Sequence, residues 1–164
     1  RALVGEREAG LSRDEITVLE TNLDDAPPEV LGDLQRSLPE AGALDVTVIP
    51  TTMKKSRPGH LVKVVVDPAD AAAVARRLAE ETGTLGVREG GARHRWVADR
   101  TFETTTLDID GAAHDVAVKV ATDADGDVYD VSAEYDDSLA VARETGLSVR
   151  EIVRQAEAAV AESS

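Results

Sequence analysis

Apolar positions along the chain follow two periods, and the switches between them mark its elements. Residues 16–23, Ile-Thr-Val-Leu-Glu-Thr-Asn-Leu, alternate and are β-branched, which predicts a strand. Val30, Leu31, Leu34 and Leu38 then recur at helical spacing. Asp25 or Ala26 ahead of Pro27-Pro28 opens that helix, and Ala41-Gly42 closes it. Residues 44–50 read as a second strand. Residues 60–66, His-Leu-Val-Lys-Val-Val-Val, read as a third, its near-continuous apolar run suiting a central position. Asp67-Pro68 predicts a second helix with Asp67 as N-cap and Pro68 in first position. Ala72, Val74, Ala75, Leu78 and Ala79 form its apolar surface, Thr82-Gly83 ends it, and a fourth strand begins at Leu85. Strand, helix, strand, strand, helix, strand over 16–90 predicts a ferredoxin-like unit, its helices on one face of a four-stranded antiparallel sheet.

The rest of the pattern is different. Residues 93–102 and 103–109 read as strands, and Asp110-Gly111 turns the chain into another at 115–121. A tight turn at 123–127 leads to a strand at 128–131, completing a β-meander. Two helices finish the chain, from Asp136 or Asp137 to Gly146 and from Ser148 to about Ala161; Ser148-Val-Arg-Glu151 matches a capping box. The expected class is α+β: a ferredoxin-like βαββαβ unit followed by a β-meander and two C-terminal helices. The expected divisions are an arm at 1–15, a ferredoxin-like subdomain at 16–90 and a meander-plus-helix subdomain at 91–164. At 164 residues the chain can bury one core or two small lobes.

Composition narrows the function. The apolar fraction is 42% but only 2% is aromatic, so the core is built from small side chains. Without cysteine there are no disulfides, thiolate metal sites or cysteine nucleophiles. No apolar run reaches the roughly 18 residues of a membrane span, and no leader pattern opens the chain; a cytoplasmic protein is expected. A start at Arg1 rather than Met reads as a fragment or excised domain. The 32 acidic residues against 18 basic ones give a net charge of −14, spread without a long acidic block. Such a surface fits adaptation to high intracellular salt better than an acidic face for a basic partner. Nucleic acid is not an expected partner, since backbone binding needs a broad basic surface.

Against that background one cluster stands out. In residues 51–59, Thr-Thr-Met-Lys-Lys-Ser-Arg-Pro-Gly, Lys54 and Lys55 are two of only four lysines, and Arg57 follows two positions on. On a loop joining two strands they can clamp a di- or triphosphate, arginine as a fork and lysine as a point charge; the alternative is a solvated hairpin tip. No P-loop pattern is present. Asn22, Asp24 and Asp25 lie at the C-terminal end of the first strand. Hard oxygen ligands of this kind suit Mg²⁺ or Mn²⁺ carrying a nucleotide phosphate, while helix capping accounts for one of the two aspartates. The turn at 123–127 lacks the spacing of a calcium loop and reads as a hairpin turn. His60, His94 and His114 have no paired spacing for a metal. Glu134 and Tyr135 are either site residues or neighbours of a cap formed by Asp136 or Asp137, and Trp96, near Arg93 and Arg95, is either a stacking platform or a packed tryptophan.

Several of these stretches occur in order: Leu-Glu-Thr-Asn-Leu-Asp-Asp at 19–25 with Glu29, Glu-Ala-Gly-Ala-Leu-Asp at 40–45, residues 53–59, Glu-Thr-Gly-Thr-Leu-Gly-Val-Arg at 81–88, and Ser-Ala-Glu-Tyr-Asp at 132–136. Together they resemble the carboxy-terminal domain of the nickel-insertion protein of nickel-pincer cofactor biosynthesis, the LarC family. The resemblance covers roughly residues 16–160 and departs at Ala26, where the family often has methionine. It implies a nickel chelatase that inserts Ni²⁺ into pyridinium-3,5-bisthiocarboxylic acid mononucleotide, consuming CTP with Mn²⁺ or Mg²⁺. It further implies that this part binds the metal–CTP complex and forms a homo-oligomer, while a histidine-rich N-terminal domain handles nickel. Placed on the matched motifs, triphosphate contact falls to Lys54, Lys55 and Arg57, and metal or ribose contact to Asp24, Asp25 and Asn22. It assigns no catalytic residue. The competing reading is a non-catalytic ferredoxin-like assembly module; a metal-dependent nucleotide hydrolase is a third.

Overall fold

The structure, a computed structural model, describes residues 11–163. In chain order the elements are β1 (Ser12–Glu15), β2 (Thr17–Leu23), α1 (Pro28–Glu40), β3 (Ala43–Thr52), a 3₁₀ turn (Lys54–Ser56), β4 (Pro58–Val66), α2 (Ala71–Thr82), β5 (Arg88–Gly90), β6 (His94–Val97), β7 (Asp99–Ile109), β8 (Ala112–Thr122), β9 (Val128–Ala133), α3 (Tyr135–Thr145) and α4 (Val149–Ala161). The class is the expected mixed α+β. Of the arm expected at 1–15, residues 1–10 lie outside the described residues, and β1 occupies most of the rest. The chain divides into two compact units, one spanning Asp14–Arg95 and the other continuing from Trp96.

In the first unit the sheet order is β3-β4-β2-β5 with antiparallel pairing, the order of a ferredoxin-like unit. Alternation sorts each strand between two faces. Leu19 and Leu23 of β2 and Val62, Val64 and Val66 of β4 meet Leu31, Leu34 and Leu38 of α1 and Val74 and Leu78 of α2 in one core. The other face carries no helix, and across it Thr47, Lys63, Glu20 and Arg88 form one row by register. Pro28 sits at the start of α1 with Glu29 in its first turn, where a missing N–H costs nothing and an acid meets the positive helix end.

Two local expectations are corrected here. α2 begins at Ala71, not beside Pro68, because the Asp67 carboxylate accepts from Ala69 N–H at 2.8 Å and so closes a turn ahead of the helix. The fourth strand begins at Arg88, not Leu85. The buried Thr21 hydroxyl lies 2.7 Å from the Thr84 hydroxyl and donates to the Gly86 carbonyl at 2.9 Å, which holds 84–86 in an irregular turn and leaves Leu85 fully exposed.

In the second unit β7, β8 and β9 form an antiparallel sheet in that order. Leu107, Ile109, Val116, Val118 and Val120 pack on Val141, Ala142, Ile152, Ala156 and Val160 of α3 and α4. The strands expected at 93–102 and 103–109 are one long strand, β7, behind the short β6. All eleven β7 residues pair with β8 without a register shift, so nothing breaks the strand at 102/103. Asp110 (φ 54°) and Gly111 (φ 81°) make the two-residue hairpin turn. The Asp123 carboxylate accepts the N–H groups of Asp125 and Asp127, both at 2.9 Å, so that turn closes on itself. Ser148 Oγ caps α4 by accepting from Glu151 N–H at 3.2 Å. The Glu151 carboxylate turns instead to Arg154 and Gln155, whose hydrogen bonds hold its pKa down at about 2.

Candidate anion-binding site

β3 and β4 pair as far as Thr52 and Pro58, leaving five residues to reverse the chain. Met53 N–H donates to the Arg57 carbonyl at 2.7 Å and closes this loop. At its tip Lys55 (φ 60°) and Ser56 (φ 58°) are both left-handed. For side chains other than glycine this conformation costs about 1–2 kcal/mol per residue, so the tip keeps a strained shape that its surroundings must hold. Lys54 and Lys55 are exposed, and among the described residues neither makes an ion pair.

The root of the loop rests on the end of β2. Gly59 permits this: a Cβ there would fall 2.5 Å from Met53 Cγ and 2.8 Å from the Leu23 carbonyl oxygen. Met53 folds back toward Asn22, whose side-chain N–H points to its sulfur at 4.0 Å, and Arg88 donates to Asn22 Oδ1 at 2.7 Å. Arg57 reaches Asp24 at 3.6 Å, which is an electrostatic contact and longer than a hydrogen bond. Asn22, Leu23, Asp24 and Asp25 line one side of an open cleft of about 380 Å³, and Thr82, Gly83, Thr84 and Leu85 line the other. That volume lies in the range of small-ligand sites.

The six residues assigned to phosphate, ribose or metal contact, Asn22, Asp24, Asp25, Lys54, Lys55 and Arg57, all fall in the first unit. Asn22, Asp24 and Arg57 join one contact network, Lys54 and Lys55 belong to the same turn as Arg57, and Asp25 lines the cleft beside Asp24. Four residues around this network were given no role from the sequence. Arg88 and Glu20 meet through the β2–β5 register, at 3.6 Å, with Lys63 on the other side of Glu20 at 3.5 Å; Met53 joins through the fold of the loop. The other candidates lie elsewhere. In the second unit Glu134 is the N-cap position of α3 and Tyr135 its first residue, so neither Asp136 nor Asp137 caps the helix as expected; Asp137 lies in the first turn and accepts from Ala117 N–H at 2.9 Å. Trp96 stacks under Arg13, whose guanidinium carbon lies 5.8 Å from the ring centre. His114 pairs with Glu144 at 3.2 Å. Among the described residues no three His, Cys, Asp or Glu side chains group as a metal cage, and no helix is long and apolar enough to cross a membrane.

The sequence profile of a family described as nickel insertion protein matches residues 1–153. A nickel insertion relative from Methanosarcina mazei is 46% identical over 94% of this chain and 39% of its own length. One from Geotalea daltonii is 41% identical over 98% of this chain and 40% of its own. The chain thus spans about two fifths of the curated relatives it matches. Among solved structures, a protein of Methanopyrus kandleri superposes with TM-score 0.71 at 34% identity, covering 93% of this chain and 90% of that one. A second structure, described as LarC2, the C-terminal domain of a cyclometallase involved in synthesis of the NPN cofactor of lactate racemase, apo form, superposes at TM-score 0.73 and 31% identity, over 93% of this chain and all of that domain.

Proposed function

The chain belongs to the nickel insertion (LarC) family, and we propose that it is the part of a nickel chelatase that binds CTP with a divalent metal and assembles the enzyme. The whole enzyme then inserts Ni²⁺, its cargo, into pyridinium-3,5-bisthiocarboxylic acid mononucleotide in the cytoplasm, with nickel handled by an N-terminal partner domain.

One observation carries the nucleotide reading: a strained loop tip carries two exposed lysines without an ion pair among the described residues, and the same loop reaches through Arg57, at 3.6 Å, to Asp24 at the edge of the cleft. Three cations on the loop face a charge that the rest of the chain repels. Lys54 and Lys55 neutralise the outer phosphates, and Arg57 offers its planar fork to the same group. Because Arg57 and Asp24 stand 3.6 Å apart, each can turn to ligand without breaking a hydrogen bond. The donor set fits a hard cation in part. Asp24 and Asp25 supply two exposed carboxylates, and a site for Mg²⁺ or Mn²⁺ commonly uses one or two such groups together with substrate phosphates and water. Bound there, the metal supplies charge neutralisation on the triphosphate. In this reading Asn22, whose Oδ1 accepts from Arg88 at 2.7 Å, hydrogen-bonds the ribose through its remaining polar atoms.

Isothermal calorimetry with CTP and Mn²⁺ tests this. The expected result is one site per chain, binding lost when EDTA removes the metal and competed by inorganic triphosphate but not by cytidine. Competition by cytidine with indifference to triphosphate would remove the basic loop from the account.

A further inference from the structure

Natural sheets blunt their open edges, because a row of free N–H and C=O groups is a template for another strand. In this chain the described edges follow that rule with one exception. β3 carries Pro50 and a bulge between Ala43 and Asp45; β5 has three residues; β9 has six and a register shift opposite it at 121/122; β1 and β6 have four each. β7 has eleven residues, Asp-Arg-Thr-Phe-Glu-Thr-Thr-Thr-Leu-Asp-Ile, with no proline, glycine, lysine or bulge; its charges are Asp99, Arg100, Glu103 and Asp108, and among the described residues it is the outer strand of its sheet. Leu107 and Ile109 face α3 and α4, so Arg100, Phe102, Thr104, Thr106 and Asp108 point to the helix-free side, where Phe102, the only phenylalanine, is 65% exposed.

We propose that the β7 edge pairs antiparallel with the β7 edge of a second copy of this chain, about a two-fold axis through Thr104 and perpendicular to the sheet. The strand is self-complementary in that register. Thr104 is its midpoint, so all eleven residues of each copy are paired. Residues equally far from Thr104 come opposite each other: Glu103 meets Thr105, Phe102 meets Thr106, and Arg100 meets Asp108, once at each end. The register thus gives two opposite-charge pairs and no like-charge pair, on an Arg100 that has no ion pair of its own among the described residues. The two three-stranded sheets join into one continuous sheet. This inference names the surface behind the assembly half of the reading above. It does not depend on the nucleotide half, and a chain that ignores CTP can still satisfy it.

Because the chain has no cysteine, a single introduced thiol reports the register. In Thr104→Cys the two thiols lie directly opposite, with Cα atoms about 4.5–5.5 Å apart, within disulfide reach. In Thr106→Cys they lie about 13 Å apart, four residues of strand, and cannot bridge. Under mild oxidation Thr104→Cys is expected to give a disulfide-linked dimer at low micromolar protein and Thr106→Cys to stay uncrosslinked. Both positions are exposed, so neither change disturbs the core. In parallel, Arg100→Asp is expected to weaken self-association measured by sedimentation about tenfold, with Arg100→Asp/Asp108→Arg recovering it. A monomeric parent chain, equal crosslinking of the two cysteine variants, or association indifferent to Arg100→Asp would overturn the proposal.

Discussion

Replacing Lys54 and Lys55 together by alanine is expected to weaken binding of CTP with Mn²⁺ by about 100-fold or more while leaving thermal unfolding unchanged. A hydrogen bond to a charged group is worth about 1.5–3 kcal/mol, so two phosphate contacts amount to about 3–6 kcal/mol. Stability does not move because both side chains are exposed and neither ion-pairs among the described residues. The contrast is Lys63, which lies on the helix-free face and is already paired with Glu20 at 3.5 Å; Lys63→Ala removes the same charge from the chain and is expected to change affinity by less than about threefold. If Lys63→Ala and the double variant lost affinity alike, general charge and not the loop would be the cause.

The second large effect is expected at a residue that touches no ligand. Gly59→Ala places a methyl 2.5 Å from Met53 Cγ and 2.8 Å from the Leu23 carbonyl oxygen. Met53 can swing away, but the carbonyl belongs to the β2 backbone and cannot. The loop root must lift from β2, at a cost of about 1–3 kcal/mol. That movement separates Arg57 from Asp24, so affinity for CTP with Mn²⁺ falls with stability. Urea unfolding and calorimetry on the same sample check it; an unchanged midpoint would mean the loop does not rest on β2 as described.

The contrast between Lys54 and Gly59 also marks what the sequence could and could not disclose. Where structure follows from neighbours in the chain, it was legible. The alternation of β2, the Leu31-Leu34-Leu38 face of α1, the Asp110-Gly111 hairpin turn and the Ser148 cap each need only a few adjacent residues. With two helices and four strands in that order, handedness and packing leave few arrangements, and the split unit follows. Asp67-Pro68 misled because one aspartate serves equally as a cap or as the hinge of a turn, and only Ala69 N–H decides between them. The late start of β5 was not legible at all, since the Thr21 hydroxyl that restrains Thr84 and Gly86 comes from 63 residues away. In the site, charge was enough to single out Lys54, Lys55 and Arg57 in an acidic chain. Charge could not say that Arg57 meets Asp24, because that contact depends on β4 pairing beside β2. Arg88 and Glu20 were hidden for the same reason: each is an ordinary surface residue until the β2–β5 register sets them side by side.

The central claim is that a metal–triphosphate sits between the basic loop and the end of β2. Crystals of the chain grown with CTP and Mn²⁺, measured for manganese anomalous scattering, test it most directly. The account predicts an anomalous peak within coordination distance of the Asp24 or Asp25 carboxylate, with triphosphate density running from it to Lys54, Lys55 and Arg57. A manganese peak bound to other residues, or nucleotide density away from residues 53–57, would contradict it.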